Sequence, residues 1–169
     1  MATYTVTTFE DENNGIVTGK ASLREAIAAA NNNEGTDTIK FDSSLTEGAI
    51  QLKDGQGPLE ITDPVTIKGL DQNKLTVDAQ GTEPDPANES RIFTVDDGSD
   101  NNQIAVTLEG MTLTGGIAAT GDSGRRSEAE FPFDYGGGIL NRENLTLRKM
   151  TVLGNSAEFG GGIIIPKAI

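Results

Sequence analysis

The strongest constraint on this chain is that its second half repeats. Val106-Thr107-Leu108-Glu109-Gly110-Met111-Thr112-Leu113-Thr114-Gly115-Gly116 lines up with Leu145-Thr146-Leu147-Arg148-Lys149-Met150-Thr151-Val152-Leu153-Gly154-Asn155. Gly136-Gly137-Gly138-Ile139 recurs as Gly160-Gly161-Gly162-Ile163. Short alternating strands that return between small-residue turns mark a stacked architecture, in which each unit buries its apolar face against the next. The glycine runs lie 24 residues apart, whereas the strand pairs lie 39 apart. The 15 extra residues therefore fall between Gly116 and Gly136, in a stretch without periodicity. Many short strands allow a sandwich, a barrel or a β-helix. Only a stacked coil with one decorated turn accounts for this spacing, so the expectation is an all-β parallel β-helix, a solenoid.

The N-terminal part carries the one clear helix signal. Ser22 with Glu25 three residues later forms a capping box, and Leu23, Ala26, Ile27 and Ala30 make one apolar stripe. The helix should run from about Leu23 to Asn31 and stop at Asn32-Asn33-Glu34-Gly35. A single short amphipathic helix cannot bury its stripe alone, so it is expected to lie over the open end of the core as a cap. Elsewhere the period is two. Ile39/Phe41, Ile50/Leu52, Leu59/Ile61, Val65/Ile67, Leu75/Val77 and Phe93/Val95 lead into Val106/Leu108, Met111/Leu113, Leu145/Leu147 and Met150/Val152. Thr107, Thr112, Thr146 and Thr151 should point outward as a polar ladder, since threonine is β-branched yet tolerates water. The expected organisation is a single domain over 1–169. Residues 1–35 form the opening strand and cap helix, residues 36–169 form the coils, and an inserted loop occupies about 117–135.

Composition limits the chemistry. The 169-residue chain contains neither cysteine nor histidine. That removes disulfides, thiolate chemistry, Cys/His zinc sites and the Ser-His-Asp and Cys-His nucleophile arrangements. With 26 acidic against 13 basic residues the formal charge is −13, which disfavours a phosphate backbone as partner. No apolar run is long enough for a membrane span, so neither nucleic acid nor membrane insertion is expected. The N-terminus, Met1-Ala2-Thr3-Tyr4-Thr5-Val6, has no basic segment and no apolar h-region. A signal removed earlier, a C-terminal export signal and retention inside the cell all stay open. An acidic, cysteine-free chain fits an exported bacterial protein.

Two motifs carry a resemblance. Lys20-Ala21-Ser22-Leu23-Arg24-Glu25-Ala26-Ile27-Ala28-Ala29-Ala30-Asn31, followed by Asp37-Thr38-Ile39-Lys40-Phe41, resembles the Ser-Leu-Arg-Glu-Ala segment that opens many bacterial right-handed parallel β-helix surface proteins. That family often has cysteine where this chain has Ala21. Val152 to Ile163 is similar to the Gly-Gly-x-Ile and Phe-x-x-Asn repeats of polymorphic outer-membrane-type adhesins, with Val152 in place of the phenylalanine. The resemblance covers most of the chain. It implies a right-handed, secreted or surface-displayed β-helix, commonly the N-terminal part of a longer protein. The matched motifs are structural in that family, so no catalytic residue carries over.

Candidate sites are few. Asp96, Asp97 and Asp100, in the run Asp96-Asp97-Gly98-Ser99-Asp100-Asn101-Asn102, place hard oxygen donors at close spacing, the chemistry of Ca²⁺; the competing reading is a solvated turn. Asp11-Glu12-Asn13-Asn14-Gly15 is a weaker version of the same pattern. In the inserted segment, Arg125, Arg126, Phe131, Phe133 and Tyr135 gather cations and three of the chain's eight aromatic residues. Such a set can hold a glycan or a cell-surface protein, or fold the loop against the coil wall. Arg24 either pairs with a carboxylate or lays its stem across the cap rim. Enzymes with β-helix folds cluster carboxylates and a basic residue along one groove. Asp78, Asp96 and Asp134 share no coil position here, so no catalytic residue is assigned. The expected function is a noncatalytic extracellular β-helix module, structural or adhesive. The alternative is a calcium-dependent polysaccharide lyase or glycoside hydrolase fragment. The last coil, ending in Ile163-Ile164-Ile165, has no second cap, which predicts continuation into a longer chain or self-association through that end.

Overall fold

The computed structural model describes residues 1–15, 20–81, 90–99, 101–118 and 135–165. Arg125, Arg126, Phe131, Phe133 and Asp100 lie outside these residues, as does most of the expected inserted loop. The elements are β1 (Thr3–Val6), α1 (Leu23–Asn31), β2 (Asp37–Phe41), β3 (Gly48–Gln51), β4 (Leu59–Ile61), β5 (Val65–Lys68) and β6 (Leu75–Asp78). They continue with β7 (Phe93–Val95), β8 (Ala105–Thr114), β9 (Ile139–Asn141), β10 (Asn144–Val152) and β11 (Ile163–Ile164).

All the strand pairs among the described residues are parallel. The larger sheet follows the path β1-β2-β5-β8-β6-β3, with β10 also on β8, and the smaller one follows β11-β9-β7-β4. This corrects the fold-class expectation. The chain is not the all-β β-helix solenoid that the repeats implied, nor the right-handed form that the resemblance implied. Among the described residues it is a mixed arrangement of parallel strands and one short helix, and its larger sheet curls into a half-barrel. The path does not run one strand per coil, because β8 pairs with β5 along one stretch and with β6 along another, as well as with β10. Val106–Glu109 pair with β5, and Thr112–Thr114 pair with β6.

Gly110 lies at the division, between the stretch paired with β5 and the stretch paired with β6. It sits mid-strand at φ +70°, a left-handed conformation that glycine adopts without a Cβ penalty. The bend turns one long strand into two arms. In β10 the equivalent position is Lys149, at φ +49°, flanked by the pairs Arg148↔Glu109 and Met150↔Met111. Repetition in sequence reports which residues lie side by side, and that pairing is present: Leu145 lies opposite Val106, Leu147 opposite Leu108, and Ile163 opposite Ile139. It does not report how a sheet bends, which depends on backbone angles at single positions.

The core is a set of ladders. Ile39, Ile67, Leu108 and Leu147 stack in one, and Leu59, Phe93, Ile139 and Ile163 in another. The alternate residues form a threonine ladder, Thr38-Thr66-Thr107-Thr146, partly or fully exposed along its length. Helix α1 packs on β4, β1 and β2, burying Leu23, Ala26, Ile27 and Ala30. Its capping box is complete. The Ser22 hydroxyl accepts from the Glu25 amide, and the Glu25 carboxylate accepts from the Ser22 amide at 2.9 Å.

The buried arginine of this helix has a structural partner. Arg24 donates from Nε to Asp11 Oδ1 at 2.8 Å and from a terminal nitrogen to Asp11 Oδ2 at 3.0 Å. It also donates to the carbonyls of Gln56, Gly57 and Pro58. The sequence-level alternative of a carboxylate partner is therefore the one realised, with all donors directed at protein.

The glycine runs do two different things. Gly136 and Gly160 hold positive φ at corners, +63° and +64°. Gly116, Gly137 and Gly161 instead allow neighbouring layers to touch. A Cβ on Gly137 would lie 2.1 Å from the Ser156 carbonyl oxygen and 2.7 Å from that of Gly161. Both obstacles are backbone, so the layers must separate. Gly137→Ala is expected to destabilise by about 3 kcal/mol, the upper part of the range for overpacking. Gly98→Ala, with nothing within 4 Å of its Cβ, should cost about 1–2 kcal/mol through its positive φ alone. Urea midpoints of the two variants check the order.

Candidate functional site

The described acidic cluster is Asp96, Asp97 and Glu143, with one carboxylate oxygen from each within 4.8 Å of the others. Asp96 and Asp97 follow β7, and Glu143 occupies the tight turn between β9 and β10. Parallel pairing of β7 with β9 sets Val95 beside Asn141, so the chain leaves both strands at the same edge. The Asn141 side chain shapes the turn: its Oδ1 accepts from the Glu143 amide at 3.2 Å, and its Nδ2 donates to the Glu143 carbonyl at 2.9 Å. This aims the Glu143 carboxylate back at the Asp96 loop.

All six oxygens of the cluster already face a protein donor. Asp96 Oδ1 accepts from the Gly98 amide at 2.8 Å, and Asp97 Oδ1 from the Ser99 amide at 2.7 Å. Asp97 Oδ2 accepts from the Asn102 side chain at 3.0 Å. Glu143 Oε1 accepts from the Asp97 amide at 3.2 Å, and Oε2 from the Ile104 amide at 3.0 Å. Arg142 Nε lies 3.5 Å from Asp96 Oδ2, an ion pair without hydrogen-bond alignment. The arrangement folds the loop on itself and neutralises part of its charge. Calcium asks for six to eight oxygen ligands, and here an ion would share each carboxylate's lone pairs with a protein donor already in place. We expect millimolar calcium to change Tm by less than about 1 °C, because stabilisation follows RT ln(1 + [L]/Kd) and is small when Kd is near the ligand concentration. A larger rise in differential scanning fluorimetry would show that the donors yield.

Of the aromatic and arginine group, Tyr135 is the described member. It pairs with Phe159 in an isolated parallel bridge, and the rings stack at 5.8 Å with a 34° tilt. Its partner is thus an aromatic residue of the adjoining layer. Sequence reasoning missed Phe159 and Glu143. Phe159 was accessible, because it follows Tyr135 by the same 24 residues that separate the glycine runs. Glu143 had no such signal, because its role arises from the β7–β9 pairing.

A polar groove at the amino end is lined by Glu12, Asn13, Asn14, Lys53, Gly55 and Gln56. Its walls are anchored from below, since Asp11 Oδ2 accepts from the Lys53 amide at 2.9 Å while Arg24 holds the Gln56 carbonyl. In the second acidic pattern of the sequence, residues 11–15, the Asp11 carboxylate serves Arg24 and the Lys53 amide, while Glu12, Asn13 and Asn14 line the groove.

Two further carboxylates respond to pH in opposite senses. Burial raises Asp63, reinforced by the negative charge of Asp37, with a backbone hydrogen bond from Gly35 acting against them. One Asp63 oxygen, Oδ2, is buried with no hydrogen-bond partner among the described residues. Burial also acts to raise Asp37, but hydrogen bonds from the Ala2 amide and Asn33, together with the N-terminal ammonium, hold it below the ordinary value. A raised carboxyl contributes stability at low pH that is lost as pH rises through its folded pKa. Ionised Asp63 is therefore a liability at neutral pH. Asp63→Asn is expected to raise Tm at pH 7, with the gain shrinking as pH falls through the raised pKa of Asp63 towards the ordinary carboxylate value. Asp37→Asn should do the reverse, its loss at pH 7 fading towards acid. Melting curves from pH 3 to 8 check both signs.

Comparison with known proteins finds no matching family model, no matching curated protein and no matching solved structure.

Proposed function

We propose that this chain is a noncatalytic structural or adhesive module of a secreted or cell-surface protein, and that its working surface is the open end formed by β10 and β11. One observation carries the reading. Along each ladder the residue type is kept while burial is lost at the last step. Val106, Leu108, Met111, Leu113 and Ile139 are at most 1% exposed, whereas their partners Leu145, Leu147, Met150, Val152 and Ile163 are only half-buried. Leu153, Phe159 and Ile165 beside them are 53%, 45% and 69% exposed. An apolar face of this extent on an otherwise acidic protein serves contact with more polypeptide: continuation of the stack in a longer chain, self-association, or a cell-surface partner. Two of the buried charges are engaged by main chain: Arg24 donates to three carbonyls besides Asp11, and Glu143 accepts from two amides.

The competing reading is a calcium-dependent polysaccharide lyase or hydrolase, favoured by the Asp96-Asp97-Glu143 grouping. Purified protein assayed on a panel of acidic glycans, with and without calcium, separates the two. The expected result is no turnover in either condition. Turnover that persists through successive purification steps and is abolished by Glu143→Gln would overturn the proposal.

A further inference from the structure

The outer edge of β10 has a definite preference among strands. Four layers of the larger sheet place charged residues in one column: Lys40, Lys68, Glu109 and Arg148 are successive partners in β2, β5, β8 and β10. From Lys68 onward the sign alternates. Opposite charges side by side on neighbouring strands attract, and like charges repel, by some tenths of a kcal/mol to about 1 kcal/mol. The next position above Arg148 therefore favours a carboxylate. Beside it, Lys149 is exposed as well, so the edge carries two cations on a chain whose net charge is −13.

The same edge offers the half-buried apolar side chains of Leu145, Leu147, Met150 and Val152 on its inner face. Its strand neighbour among the described residues is β8 alone, so its other side presents main-chain groups of the kind that accept an added strand. A second copy is a poor occupant. Residues 144–152 contain no acidic residue, and parallel juxtaposition of two β10 strands would set Arg148 against Arg148.

We propose that β10 captures an extended segment of a partner polypeptide with alternating apolar residues and a carboxylate in register with Arg148. The proposal rests on the reading of the open end as the working surface. It supplies the chemistry of the partner: an acidic, alternately apolar β-strand added in parallel. The chain itself contains a strand of this type, because β8 has its apolar residues in register with those of β10 and presents Glu109 to Arg148.

The test uses a peptide with the sequence of residues 104–115, extended by a soluble fluorescent tail, titrated against the full chain. The expected result is saturable binding below about 1 mM, with amide NMR shifts concentrated in residues 144–152. The peptide carrying Glu109→Lys should bind at least about threefold more weakly, and Arg148→Glu in the protein should restore it. Circular dichroism establishes that the Arg148→Glu protein is folded. No binding to folded protein, binding indifferent to the charge exchange, or shifts centred outside β10 would overturn the proposal. So would sedimentation showing that the chain alone dimerises through this edge, since the occupant would then be a second copy. Failure of the peptide leaves the noncatalytic reading intact, whereas glycan turnover removes that reading without bearing on the edge.

Discussion

Replacing Asp11 with alanine is expected to lower folding stability by about 3–5 kcal/mol, the cost of leaving one member of a buried ion pair without its partner. Arg24 and Asp11 have side chains only 9% and 1% exposed. Without the carboxylate, the guanidinium keeps its three carbonyl partners but loses its countercharge in a shielded position. The Lys53 amide loses its acceptor in the same step. Arg24→Met is expected to cost a similar amount, because Asp11 becomes the unpaired charge and the carbonyls of Gln56, Gly57 and Pro58 lose their common donor. The double variant Asp11→Ala/Arg24→Met should recover part of the loss, since removing a buried pair together is milder than breaking it. Recovery stays incomplete because the three carbonyls remain without that donor. A double-mutant cycle from urea midpoints measures the coupling. Additive losses would show that the pair contributes as two independent side chains.

Phe93→Ala is expected to cost about 3–5 kcal/mol, the range for emptying a fully buried aromatic site. Phe93 is 0% exposed in the middle of the Leu59-Phe93-Ile139-Ile163 ladder. Strands lie on both sides of β7, so the sheet cannot close over the cavity without breaking its own pairing. The contrast lies at the top of the same ladder. Ile163→Ala removes a half-buried side chain with no described strand above it, and about 1 kcal/mol is expected from the smaller apolar area involved. Thermal or urea unfolding of both variants tests the gradient. Equal losses would mean that the open end is as tightly sealed as the middle, which would contradict the half-burial on which the proposed working surface depends.

The acidic candidates show where reading a sequence stops. Asp96 and Asp97 were visible as a dense run of oxygen donors, and the structure does bring them together. It adds Glu143, more than forty residues later in the chain, through the parallel pairing of β7 with β9. The donors that fill these carboxylates, the amides of Gly98, Ser99 and Ile104, have no side-chain signature. A main-chain N–H is the same at every residue, so its direction is invisible until the turn is built. The Arg24–Asp11 pair is similar. A carboxylate partner for Arg24 was foreseeable from the cost of burying a charge alone, but its identity depended on the approach of the opening loop to the helix.

The linear order of residues determined the periods, the capped helix over Leu23–Asn31 and the register that sets Leu145 beside Val106. All three follow from local spacing: 3.6 residues for a helix, two for a strand, and a fixed interval between equivalent strands. Tertiary structure alone decided that the larger sheet curls, that β8 divides between β5 and β6, and that β10 has β8 as its one strand neighbour among the described residues. Those outcomes depend on backbone angles at Gly110 and Lys149 and on the stacking of Gly116, Gly137 and Gly161. At such positions two segments distant in sequence compete for the same few ångströms.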